Sequence, residues 1–197
     1  MDIVILDTGC ANLQSISIAI KKMGYSTTIT SNISLVSSAK KIIIPGIGTA
    51  SAVMKRLSKN KLENVIRNIT QPILGICLGM QLLCSFSKEG SGINTLDILK
   101  NSFVQPLKSN HLPLPHMGWN KVIFNKKNIL FKNIKIGSRF YFVHNYIVPI
   151  NKYTLAYSNY GVFFSAAIQK NNFFGVQFHP EKSGSVGAQL LKNFIEI

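Results

Sequence analysis

The segment Pro72-Ile-Leu-Gly-Ile-Cys-Leu-Gly-Met-Gln81 sets one cysteine between two glycines, where a short apolar strand has to turn abruptly into a helix. Ile73, Leu74 and Ile76 read as a buried strand, Gly75 and Gly79 let strand and helix approach closely, and Cys77 is expected at the exposed tip. That turn is a local unit of an α/β sheet. A thiol there meets the helix N-terminus, whose unpaired N–H groups and dipole favour negative charge. A cysteine starting a helix also serves as a small buried apolar residue, so Gly-x-Cys-x-Gly alone leaves both readings open.

Around this unit the N-terminal half alternates strand and helix. Asp2 to Asp7 is an apolar strand; Leu13, Ile16, Ile20 and Met23 then recur near helical period until Gly24. Thr27 to Thr30 and Lys41 to Ile44 read as strands, and Ala52 to Leu57 and Leu62 to Ile69 as helices. The alternation predicts a mostly parallel sheet flanked by helices, with sites at the carboxyl ends of its strands, where Pro45-Gly46, Cys77 and His179 fall. The C-terminal half predicts an antiparallel β extension. Its short strands are Val104 to Leu107, Lys121 to Phe124, Phe140 to Val143, Thr154 to Ser158, Phe163 to Ile168 and Phe173 to Phe178, before a closing helix from Gly184 to Ile195. No repeat or long linker divides the chain, so residues 1–197 are expected to form one domain.

About a hundred residues after the cysteine comes Phe174-Gly-Val-Gln-Phe-His-Pro-Glu-Lys182. A thiol nucleophile needs a base that takes and returns a proton near neutral pH, and that base needs an acceptor to fix its tautomer. Cys77, His179 and Glu181 supply the three roles. Alone, a histidine after a strand is commonly structural and an exposed glutamate merely solvated; in a chain with four histidines and seven acidic residues their placement around Pro180 carries weight.

The formal charge of +15 would ordinarily point to nucleic acid. Here the lysines lie singly or in pairs such as Lys21-Lys22, Lys40-Lys41 and Lys126-Lys127, not in a stripe interleaved with aromatic residues, so the charge reads as a Lys, Asn and Ile bias of the whole chain. Nucleic acid is therefore not expected as a partner. No apolar run is long enough for a membrane span, and the Met1-Asp-Ile-Val-Ile-Leu start lacks signal-peptide character, so a cytoplasmic location is expected. Three cysteines without a repeating spacing argue against a disulfide framework, with Cys10 and Cys84 expected reduced and at least partly buried. No Cys/His cluster has metal-ligand spacing.

Gly75-Ile-Cys77-Leu-Gly79-Met-Gln81 and His179-Pro180-Glu181 resemble the nucleophile and His-x-Glu motifs of class I, triad-type glutamine amidotransferases. Four further segments, Asp7-Thr-Gly-Cys-Ala-Asn12-Leu-Gln-Ser15, Pro45-Gly-Ile-Gly48, Pro115-His-Met-Gly-Trp-Asn120 and Tyr141-Phe-Val-His-Asn-Tyr146, narrow the resemblance to the glutaminase subunits of imidazole glycerol phosphate synthase, a histidine-biosynthesis enzyme. The similarity runs nearly end to end. It implies a glutaminase that needs no cofactor, pairs as a heterodimer with a cyclase subunit, and passes ammonia to it.

Residue by residue, the resemblance implies an oxyanion hole from the N–H of Leu78 and a peptide of the Pro45-Gly46-Ile47-Gly48 strip, the one between Gly46 and Ile47, which turns its N–H inward on activation. Gln81, one helical turn after Cys77, is implied to contact glutamine, as is Gly48 at the end of the strip. Glu89 matches the carboxylate that meets the α-ammonium, although Lys88 stands where the family has an acidic residue. Backbone N–H groups of His144, Asn145 and Tyr146 are implied to take the α-carboxylate, with Asn145 where serine or threonine is commoner. Asn12, Trp119 and Lys182 match positions that face the cyclase subunit; Trp119, the only tryptophan, suits an interface anchor and also a core residue. His111 and His116 are assigned to loops.

Rival readings come from other classes. A free-standing cysteine hydrolase of the same fold, cleaving γ-glutamyl or peptide bonds, needs a solvent-open cleft and no partner. A catalytically silent binding module is expected to lack a triad member. Glutaminase subunits for aminobenzoate, pyridoxal phosphate or guanylate synthesis are not expected to combine the Gly-Trp-Asn and Tyr-Phe-Val-His segments.

Overall fold

The computed structural model describes residues 3–9, 13–109, 111–124 and 128–197. The first half contains β1 (Ile3–Leu6), α1 (Leu13–Lys21), β2 (Thr27–Thr30), α2 (Ile33–Ser38), β3 (Lys41–Ile44), α3 (Ala50–Lys59), α4 (Leu62–Asn68), β4 (Ile73–Ile76) and α5 (Leu78–Gln81). After it come β5 (Cys84–Ser87), β6 (Ile93–Asn94), β7 (Leu99–Pro106), β8 (His116–Lys121), β9 (Ile123–Phe124), β10 (Arg139–His144) and β11 (Tyr146–Ile147). The chain closes with β12 (Thr154–Tyr160), β13 (Val162–Lys170), β14 (Phe173–Val176) and α6 (Gly184–Ile195).

Among the described residues, eight strands form the main sheet in the order β2-β1-β3-β4-β14-β13-β12-β9. The pairings from β2 to β14 are parallel, and those from β14 to β9 antiparallel. Every residue of β1, β3, β4 and β14 is buried, because parallel strands covered on both faces take continuous apolar runs. Alternate side chains feed opposite cores. Ile3 and Ile5 join a cluster with Ile16, Ile20, Leu190, Leu191 and the phenylalanines at 140, 142, 164 and 178; Val4 and Leu6 join one with Val36, Val53, Leu57, Leu62 and Ile66. Thus α1 and α6 cover one face, and α2, α3 and α4 the other. Asn32 and Thr49 start α2 and α3 by accepting side-chain caps from Leu35 N and Ala52 N.

Three outcomes differ from the sequence expectations. The segment from Phe173, expected in the antiparallel extension, pairs in parallel with β4 through Val176↔Ile76, which brings its carboxyl end beside the cysteine turn. Cys84–Ser87 is a strand with no forewarning, joined directly to β7 and β6 and, through β7, to β11 in a separate four-stranded sheet. His116 is not in a loop: it opens β8, which pairs with β10 from His144↔His116 to Arg139↔Lys121, while His111 is exposed outside any strand or helix.

No helix among the described residues is long and apolar enough to cross a membrane. Cys84 is fully buried and free; Cys10 lies outside the described residues.

Candidate active site

Strand β4 ends in a turn at Cys77, whose backbone has φ 55° and ψ −111°. A non-glycine residue there is strained by roughly 1–3 kcal/mol, so the surroundings must enforce it. They do so by close packing. A Cβ on Gly79 would stand 1.9 Å from the Ile44 carbonyl oxygen, and one on Gly75 would stand 2.5 Å from the Gly79 oxygen. The helix that follows is a single turn, and Leu78 opens it, so its N–H has no acceptor within the helix. Cys77 is 8% exposed, not a protruding tip as the sequence suggests: the sulfur is reached through a pocket.

His179 follows β14 and is positioned by backbone pairing, its N–H donating to the Tyr141 carbonyl at 2.8 Å. Its Nδ1 lies 2.9 Å from Glu181 Oε1, with the two side chains 3% and 0% exposed. The other ring nitrogen, Nε2, is buried without a well-formed hydrogen bond and is the one left to meet Cys77. Burial opposes charge on the ring, but the Cys77 sulfur and the Glu181 carboxylate outweigh it and raise His179 to about 10.

The pocket encloses about 260 Å³ and is lined by Gly46, Ile47, Gly48, Cys77, Leu78, Gln81, Glu89, Pro115, Val143, His144, Asn145, Tyr146, His179 and Lys182. A larger open groove of about 930 Å³, around Ile129 and Lys135, contains none of the candidate residues. Gly46 lies against the turn: its missing Cβ would meet Leu78 Cβ at 2.4 Å and Gly79 N at 2.5 Å. Gly48, at φ 106°, has open space around it, and Ile47 between them is 41% exposed. Glu89 Oε2 accepts from Ala50 N, the first residue of α3, at 2.5 Å, while Lys88 beside it is exposed. Gln81 is buried and donates to the Tyr146 carbonyl at 3.0 Å and to Gln177 Oε1 at 2.9 Å.

Outside the pocket stand Trp119, 52% exposed, and Glu181 behind His179. The Trp119 ring meets Tyr141 edge-on at 6.1 Å, and Lys182 Nζ lies 6.0 Å from the same ring. Met117, two residues before Trp119 on β8, is 61% exposed, so an apolar patch borders the pocket at Val143. Asn12 lies outside the described residues. Among the described residues, no group of three or more His, Cys, Asp or Glu side chains could hold a metal ion.

Sequence reasoning missed Gln177, which donates to the Cys77 sulfur at 3.6 Å, and His116, whose Nδ1 lies 2.9 Å from His144 Nε2. A signal for Gln177 was available: along a strand, residues two apart share a face, and Gln177 is a polar residue two before His179. His116 carried no such sign. Burial holds His116 and His144 neutral, lowered to about 4 and about 3, with His116 adding to the effect on His144.

A cysteine at a strained strand-to-helix turn, a histidine just past the neighbouring parallel strand and a carboxylate behind that histidine have the arrangement of a thiol–imidazole–carboxylate triad. The family model described as glutamine amidotransferase class-I matches residues 4–197, and the chain belongs to that family. It is similar to curated proteins named imidazole glycerol phosphate synthase subunit HisH: 62% identical to that of Buchnera aphidicola subsp. Schizaphis graminum and 51% to that of Yersinia pseudotuberculosis, each over 100% of both chains. Among solved structures it is similar to a glutamine amidotransferase, with TM-score 0.76 and 15% identity over 98% of this chain and 97% of that one. A glutamine amidotransferase from Thermotoga maritima gives TM-score 0.65 and 18% identity, over 100% of this chain and 81% of that one. These two likenesses concern the fold.

Proposed function

We propose that this chain is the glutaminase subunit of a histidine-biosynthesis synthase, a single glutamine amidotransferase domain working in the cytoplasm. It hydrolyses glutamine to glutamate and ammonia, and passes the ammonia to a cyclase subunit that makes imidazole glycerol phosphate and AICAR. The observation that carries the reading is that the Cys77 sulfur, His179 and the groups suited to a glutamine backbone share one cavity of about 260 Å³. The relatives' names support the histidine branch.

In this mechanism the Cys77 thiolate attacks the side-chain amide carbon. The resulting oxyanion takes the N–H of Leu78 and, once turned inward, that of the Gly46–Ile47 peptide. His179 Nε2 gives its proton to the departing nitrogen and ammonia leaves a thioester. Water, its proton taken by His179, then releases glutamate and restores the thiol. Glu181 fixes the tautomer and supports the imidazolium. The N–H groups of His144, Asn145 and Tyr146 hold the α-carboxylate, and Glu89, one oxygen engaged by Ala50 N, offers the other to the α-ammonium. Gln81, on the same pocket lining, contacts the substrate.

Ammonia set free in water becomes ammonium and is no longer a nucleophile, so the pocket mouth must be covered. Asn12, Trp119 and Lys182 are proposed to meet the cyclase subunit, with Trp119 and Met117 as the apolar part of that surface. The test is glutamate release from the chain alone, with the cyclase subunit, and with that subunit plus its nucleotide substrate. Activity is expected to rise about a hundred- to a thousand-fold across the series, the worth of one oxyanion donor. Full activity in the isolated chain would favour the free-standing hydrolase.

A further inference from the structure

Gln177 is fully buried just after β14 and has no part in the mechanism above. Its Nε2 donates to the Cys77 sulfur at 3.6 Å, and its Oε1 accepts from Gln81 Nε2 at 2.9 Å. Which end of this amide faces the sulfur is dictated from further away. Gln81 Nε2 also donates to the Tyr146 carbonyl at 3.0 Å, and a carbonyl oxygen only accepts. The Gln81 amide is thereby fixed with its NH2 group toward Tyr146 and Gln177, so Gln177 turns its oxygen to Gln81 and its N–H to Cys77. Reversing either amide would set like against like in a buried site.

The same carbonyl has a second contact, His144 Nδ1 at 2.9 Å, so that nitrogen carries the proton. The neutral His144 ring then accepts at Nε2 from His116 Nδ1, and His116 accepts at Nε2 from Asn120 Nδ2 at 3.2 Å. Donors therefore point one way from Asn120 to the Tyr146 carbonyl, and from Gln81 through Gln177 to the sulfur. His179 Nε2, backed by the Glu181 carboxylate, meets the sulfur from one side, and two further partners compete there. The Val143 carbonyl, 3.7 Å away, can be satisfied only by an S–H, whereas the Gln177 N–H is best accepted by a thiolate.

We infer that Gln177 is a further catalytic residue of this site: its N–H holds and aims the Cys77 sulfur as a thiolate, with an orientation imposed by the Tyr146 carbonyl through Gln81. This rests on Cys77 being the nucleophile, as proposed above. Through the Tyr146 carbonyl, the turn that receives the substrate carboxylate and the nucleophile share one hydrogen-bonded path.

The experiment is the pH dependence of iodoacetamide alkylation in the full chain, read on the Cys77 peptide by mass spectrometry, with thermal melting as the folding control. Gln177→Leu and Gln177→Met are expected to move the pH profile of the rate upward, because a donor to the anion is lost. Gln81→Leu, which leaves Gln177 in place but unaligned, is expected to move it less. An unchanged midpoint in folded Gln177→Leu overturns the inference while leaving Cys77 as the nucleophile; if the variants at 177 do not fold, an unchanged midpoint in Gln81→Leu does the same. Preferential labelling of Cys10 or Cys84 in the unaltered chain sinks both.

Discussion

On one wall of the pocket, Gly46, Cys77 and His179 leave the carboxyl ends of three neighbouring parallel strands, β3, β4 and β14; on the other, Glu89 follows β5 and residues 144–146 run from the end of β10 to the start of β11. The first wall is set by backbone register, Ile44↔Gly75 on one side of β4 and Val176↔Ile76 on the other. The second is set by side-chain hydrogen bonds, Gln81 and His144 to the Tyr146 carbonyl and Glu89 to Ala50 N. The difference separates two tasks. Backbone register tolerates exchange among apolar side chains of similar size and suits groups that must react, whereas side-chain networks can be retuned and suit groups that hold a substrate.

Substitutions on the two walls therefore test this division. The largest effect belongs to the register wall: Cys77→Ala is expected to abolish glutamine hydrolysis in the complex while leaving the melting temperature and partner binding unchanged. His179→Ala should cost several orders of magnitude in kcat and Glu181→Gln distinctly less, since the latter removes orientation and charge support but not the proton carrier. Near-normal turnover in His179→Ala would require another base. On the second wall, Glu89→Gln keeps an acceptor for Ala50 N but removes the charge, so KM for glutamine should rise about ten- to a hundred-fold with a smaller change in kcat. A fall in kcat at constant KM would dissolve the distinction between the walls.

The smallest effect is on stability, where histidines of the two walls pull in opposite directions. His116 and His144 are held neutral when folded, with values below the ordinary 6.5. The unfolded chain therefore binds more protons as pH falls through that value, and stability present above it is lost on acidification, by about 2 kcal/mol per histidine at pH 5. His179, raised when folded, runs the other way: its share is complete below 6.5 and fades as pH climbs toward 10. Denaturant unfolding at pH 7, 6 and 5 measures the balance, and a flat profile would mean the pair is not buried neutral.

The same division explains what the sequence reveals. The strands β1, β3 and β4 are legible because burial on both faces leaves continuous apolar runs, and the cysteine turn because two flanking glycines mark a close strand-to-helix approach, whose catalytic reading needs His179 and Glu181 as well. Phe173–Val176 carries the same run, yet nothing local says that it pairs with β4 and not with a hairpin neighbour. Strand β5 escapes because its pattern, Cys-Ser-Phe-Ser, is weak and its parallel pairing with β7 is a long-range decision. His116 escapes because a single histidine in a polar, proline-flanked segment gives no hint of the Phe142 and Tyr160 rings stacked on it.

The 1.9 Å between a hypothetical Gly79 Cβ and the Ile44 carbonyl has a bearing on how such a chain can change over time. Most constraints in a fold are soft, so a drift toward lysine, asparagine and isoleucine can be absorbed a few tenths of a kilocalorie at a time. This one is a matter of clearance. The carbonyl belongs to a strand held between two neighbours and cannot retreat, so no sequence of mild intermediates leads away from glycine. A lineage can rewrite its surface freely while this point stays fixed, like a gauge block against which the rest of the site is set.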